Sequence, residues 1–114
     1  MEIKINDEVI KVDVCVTKED ISKGMQGKKF SNELQGMLFI LELEEHVFWT
    51  KDCLIPMDII FIKDNTIVDI YKNCPPCLDG QCERYSSYCN TVLELPNNYC
   101  EKNNINVGDT FNII

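Results

Sequence analysis

The apolar residues of this chain come in a succession of short runs rich in β-branched and aromatic side chains, and that pattern restricts it to folds built from short strands. Ile10, Val12, Val14 and Val16 alternate with Lys11, Asp13 and Cys15, the period of two that puts every second side chain of a strand on one face. Residues 36–41, 47–50 and 58–62 are instead continuous apolar runs, the pattern of buried sheet. Asn6-Asp7 reads as a hairpin turn after residues 3–5, and residues 63–66 as a tight turn into a strand over 67–70. Thr17-Lys18-Glu19-Asp20 has the form of a capping box opening one short helix, with Ile21 and Met25 on one face and Gly27 as its stop. Strand character lapses from 73 to 90, resumes over 91–95, leaves room for a short helix within 96–103 and returns over 110–114. The fold class expected is mainly β: a compact small barrel or sandwich of short strands with one or two short helices. No repeat, linker or low-complexity tract divides it, so a single domain over 1–114 is expected, with a cysteine-rich loop at 73–90.

Charge and cysteines narrow the functional classes. With 19 Asp and Glu against 11 Lys and Arg, the net charge of −8 argues against a nucleic-acid partner, whose affinity comes from cations displacing counterions. No apolar run approaches the roughly 20 residues of a membrane span, so no membrane partner is expected. The N-terminus enters a strand pattern with no basic flank or signal-type apolar run, which makes the cytoplasm the expected location. Seven cysteines cannot all pair within one chain, and in a reducing compartment a cluster of them favours metal or redox chemistry.

Cys74, Cys77, Cys82 and Cys89 have the spacing C-x2-C-x4-C-x6-C, four thiols within reach of a tetrahedral structural zinc. Cys74-Pro75-Pro76-Cys77 also has the form of a redox dithiol, but Leu78-Asp79-Gly80 is a turn rather than a helix start and no βαβ pattern surrounds it. Trp49, Lys51, Pro56 and Asp58 mark a strand-loop-strand unit in which alternation would point Trp49 and Lys51 the same way. An aromatic wall beside a cation, with Asp58 or Glu94 as acceptor, suits a small anionic or sugar-like ligand. The alternative is structural: Trp49 plugging the end of the core and Lys51 paired with Asp58. His46 is expected in an exposed turn between Glu44, Glu45 and the next strand, and Cys15, Cys53 and Cys100 as small buried residues.

The order of motifs is itself informative: Gly24-Met25-Gln26-Gly27-Lys28, Gly36-Met37-Leu38-Phe39, Phe48-Trp49-Thr50-Lys51-Asp52-Cys53 running on through Pro56-Met57-Asp58, then Pro76-Cys77 with Cys82 and Tyr85, Val92-Leu93-Glu94-Leu95-Pro96 and Val107-Gly108-Asp109. Over nearly its whole length the chain resembles the family called domain of unknown function 192. That family usually reads Phe-Trp-Met-Lys-Asn-Thr where this chain has Thr50, Asp52 and Cys53 in place of the Met, Asn and Thr. The resemblance implies a compact, mainly β fold and brings no established activity. It also implies a loop-closing disulfide or thiol pair at Cys77 and Cys82, in competition with zinc at the four-cysteine set. The function expected is a ligand-binding or accessory module without autonomous catalysis, its ligand site at Trp49, Lys51, Asp58 and Glu94. Two alternatives stand beside it: a metal- or thiol-dependent enzyme using the cysteine-rich loop, and a protein-interaction factor.

Overall fold

The computed structural model describes residues 1–114. Seven strands form one sheet: β1 (Glu2–Ile5), β2 (Glu8–Cys15), β3 (Gly36–Phe48), β4 (Met57–Lys63), β5 (Thr66–Cys74), β6 (Tyr85–Pro96) and β7 (Phe111–Ile113), in the order β5-β4-β6-β3-β2-β1-β7. Two short helices interrupt them, α1 (Lys18–Lys23) and α2 (Tyr99–Lys102). Only β2 and β3 pair in parallel, since the connection between them carries α1. The sheet curls until its two edges approach, and Thr66 at one edge bridges Thr110 beside the other. Backbone bonds from Ile67 N to Asp109 O and from Phe111 N to Asn65 O, 2.9 and 2.8 Å, hold that closure. The result is a curled half-barrel, the mainly β architecture the strand pattern calls for.

The β4–β5 turn places both Asp64 (φ 48) and Asn65 (φ 67) in the left-handed region, the geometry of a two-residue hairpin whose twist matches its strands. Asn6 (φ 54) does the same work between β1 and β2. Gly36 opens β3 where a Cβ would lie 2.8 Å from Leu95 Cδ2 and 3.2 Å from Glu94 O, so a side chain there would press against β6.

The continuous apolar runs follow from a sheet that is covered on both sides. Along β3, β4 and β6, Leu38, Ile60, Ile62, Leu93 and Leu95 face the inside of the curl with Ile3, Ile5, Ile105 and Phe111. Alternate residues Met37, Phe39, Met57, Ile59, Phe61 and Val92 face outward, where Met25, Cys53, Cys74 and Tyr85 cover them. An edge-to-face series from Phe39 through Phe48, Phe61 and Tyr71 to Tyr85, with centroids 5.0 to 6.1 Å apart, runs through this outer layer.

Three boundaries differ from the sequence reading. Residues 36–41 and 47–50 are not separate strands: β3 runs from Gly36 to Phe48, because its pairing with β6 shifts register between Ile40 and Glu44 and then resumes over Glu44, Glu45 and His46. His46 therefore lies in a strand, not a turn. β6 likewise begins at Tyr85, so the cysteine-rich loop shrinks to residues 75–84, with Cys74 closing β5 and Cys89 inside β6. No helix is long and apolar enough to cross a membrane.

Candidate functional site

On the outer face of the sheet a cavity of about 200 Å³ lies between α1 with the residues after it, the far end of β3, and residues 49–53. Thr17 sets the helix in place: its side chain accepts a hydrogen bond from Asp20 N at 3.1 Å, an N-cap that satisfies one of the first-turn donors. The helix ends at Gly24, whose backbone (φ 46) strongly favours glycine and whose missing Cβ would lie 3.3 Å from Phe39 Cζ and 3.8 Å from Glu94 Oε1. Ile21, Met25, Phe39, Leu41 and Phe48 give the cavity apolar walls, and Lys23, His46, Trp49, Lys51, Cys53 and Glu94 complete it.

Glu94 is its most unusual member. It sits in the middle of β6 opposite Ile59 and Met37, is 3 % exposed, and its Oε1 has no hydrogen-bond partner. Burial without a counter-charge pushes its carboxyl up to about 8, so near neutrality the side chain is mostly the neutral acid. Nearby Cys53 is pushed up to about 12 by burial first and then by Glu94 and Asp52. At the cavity's exposed end Lys51 Nζ lies 5.3 Å from the Trp49 ring centroid and Arg84 Cζ 4.9 Å from it, so two cations share one half-buried ring.

Residues 49–53 owe their position to the neighbouring loop. Asp52 N donates to Cys77 O at 2.9 Å, Cys77 N to Thr50 O at 3.2 Å, and the buried Thr50 hydroxyl to Pro75 O at 2.6 Å. A disulfide between Cys77 and Cys82 closes that loop.

The structure brings together three of the four expected ligand residues, Trp49, Lys51 and Glu94, and removes the fourth. Asp58 faces the other side of the sheet, fully buried, and accepts from Cys100 N at 2.9 Å, Asn73 N at 2.8 Å and Asn98 N at 3.3 Å. These bonds anchor α2 and the end of β5, and occupy the carboxylate that a ligand would need. Nor does Lys51 pair with Asp58; the ion pair of the chain is Lys72 with Glu101, at the surface. The four-cysteine zinc set does not assemble either. Cys77 and Cys82 are bonded to each other, strand pairing carries Cys89 into the sheet, and no group of three or more His, Cys, Asp or Glu side chains is placed to hold a metal ion. The redox reading fails with it, since the partner of Cys77 is Cys82 and not Cys74. Cys15, Cys53, Cys74, Cys89 and Cys100 are all buried free thiols.

Gly24, Met25, Phe39, His46 and Cys53 join the site without having been singled out as ligand residues. Gly24-Met25 did stand out as part of a motif, but only the packing of α1 over β6 shows that it lies against Glu94.

A protein of unknown function from Novosphingobium aromaticivorans DSM 12444 has the same fold, with a TM-score of 0.87 at 23 % identity over 98 % of this chain and 84 % of that one. A protein from Sinorhizobium meliloti 1021 described as a putative transcription regulator superposes with a TM-score of 0.88 at 22 % identity, over 96 % of this chain and 90 % of that one. No curated protein matches the sequence. Residues 1–113 match the family described as Uncharacterized ACR, and with that agreement over all but the last residue the chain belongs to the DUF192 family.

Proposed function

We propose that this chain is a small-ligand binding module whose site is the cavity beneath α1, with Glu94 as its buried recognition group. The observation that carries this reading is the Glu94 carboxyl, which lines the cavity and whose buried Oε1 has no hydrogen-bond partner. Buried polar groups in folded chains are overwhelmingly hydrogen-bonded, and an exception in a cleft is what a binding group looks like before its ligand arrives. Trp49 and Lys51 then form the outer part of the site, and the loop closed by Cys77 and Cys82 holds them in place. Burial keeps the free thiols Cys53, Cys74 and Cys89 protonated, pushed up to about 12, 11 and 11, which favours binding over thiol chemistry. A regulatory role of the kind named for the Sinorhizobium neighbour would run through a small molecule or a protein, because a net charge of −8 opposes contact with phosphate backbones.

Ligand-observed NMR against sugars, nucleotides and small acids tests the reading. Binding that weakens at least tenfold in Glu94→Gln or Trp49→Ala is the expected result. No binding, or binding indifferent to both substitutions, removes the site.

A further inference from the structure

We propose that the cavity takes a small amino acid in the broad sense, a molecule with a protonated amine seated on the Glu94 carboxyl and an acidic group held at the mouth by Lys51 and Lys23. The inference rests on the reading of the cavity as a ligand site and names its ligand class.

The two ends of the cavity ask for opposite chemistry. At the buried end Glu94 Oε1 has no partner, and once the carboxyl is ionised it accepts only from donors. None of the groups around it donates to it: Cys15 of β2 and Cys53 carry neutral thiols, which are weak donors, and His46 Nε2 of β3 is 2.7 Å from Glu42 O. Lys23 of α1 is exposed, at the open end. An amine arriving at the Glu94 carboxyl meets a carboxylate once the carboxyl proton leaves, and that charge-assisted bond is about twice as strong as a neutral one. Gly24 keeps the approach to Oε1 free of a side chain. At the outer end Lys23 and Lys51 line the mouth and form no salt bridge, so their charges are available to an acid.

Size limits the ligand to a small molecule. About 200 Å³ is below the range of roughly 300–1,000 Å³ typical of drug-sized ligands, which leaves room for few heavy atoms. Ile21, Met25, Leu41 and Phe48 offer apolar contact that suits methylenes.

The test is calorimetry with glycine, β-alanine and 4-aminobutanoate beside 4-hydroxybutanoate, butanoate and butylamine, at pH 7 in buffers of different ionisation enthalpy. One of the three amino acids should bind at least tenfold more tightly than the others of the set that lack one of its ends. Because the empty site holds Glu94 near 8, nearly one proton should leave per ligand bound. Glu94→Gln, which keeps the side-chain volume, should abolish that proton release and lower affinity at least tenfold, and Lys51→Met should weaken binding severalfold. Equal binding of 4-hydroxybutanoate or of butylamine, or binding without proton release, overturns the assignment. If none of this set binds while a sugar, nucleotide or other acid binds in a Glu94-dependent way, the ligand class falls and the cavity remains a site. If neither set binds, both fall.

Discussion

Asp58 and Glu94 are carboxylic acids on adjacent strands of one sheet, both buried, and they have opposite fates. The pairing of β4 with β6 sets Asp58 beside Leu95 and Ile59 beside Glu94, a shift of one residue that turns the two acids to opposite faces. Inside the curl Asp58 accepts three backbone N–H groups, among them that of Cys100 in α2, a helix whose N-cap residue Asn98 makes no side-chain cap bond of its own. Outside the curl α1 is capped by its own Thr17, so Glu94 beneath it has no such work. The difference teaches how a buried charge is to be interpreted. An acid whose oxygens are filled by the fold belongs to the fold, and one that lines a cavity with an oxygen left unpartnered is available to something else.

The largest effect that would break this contrast concerns Glu94 and pH. The folded chain binds the Glu94 proton more tightly than the unfolded chain does, so wild-type stability falls as pH rises from about 4.5 to about 8 and stays lower above that. Glu94→Gln removes this dependence, and the gap between variant and wild type should widen by about 4 kcal/mol between pH 4 and pH 9 in urea unfolding. A constant gap would mean that Glu94 is already partnered. Next in size, Asp58→Ala leaves three backbone donors unpaired and should lower stability by about 3 kcal/mol, with faster hydrogen exchange at Asn73, Asn98 and Cys100. An unchanged denaturation midpoint would make the two acids equivalent after all.

Joint replacement of Cys77 and Cys82 by Ser opens a short loop and should lower stability by about 2 kcal/mol. Trp49 is the single tryptophan, so a change in its fluorescence in the same variant would show whether the loop positions the cavity mouth. An unaltered spectrum would separate the loop from the site. The smallest effect is expected from Thr17→Ala, about 1 kcal/mol, read as a lower melting temperature and the loss of protection at Asp20 N.

Periodicity made the sheet legible, since alternation in β2 and continuous runs in β3 and β4 each follow from how many faces are covered. It misjudged β3 and β6 where the sheet runs past its covered region. Glu44 and Glu45 carry no apolar signal, yet backbone pairing with β6 resumes at Glu44, past an irregularity at 41–43, and keeps them extended. The same extension explains why four cysteines that sequence groups in one loop end in three settings: Cys74 at the end of a strand, Cys89 within another and Cys77 bonded to Cys82. Trp49, Lys51 and Glu94 could be nominated by residue type. Asp58 could not be assigned correctly, because its partners lie 15 and about 40 residues away, a contact no local pattern encodes.

The two-sided covering of the sheet has an evolutionary consequence. In β3, β4 and β6 neighbouring residues answer to different demands, Leu38, Ile60 and Leu93 to closure of the curl, Phe39, Ile59 and Glu94 to what lies against the outer face. Substitutions in the outward phase can retune the cavity while the inward phase stays untouched. One strand thereby carries two interleaved messages, and a relative can reshape that cavity without changing its fold.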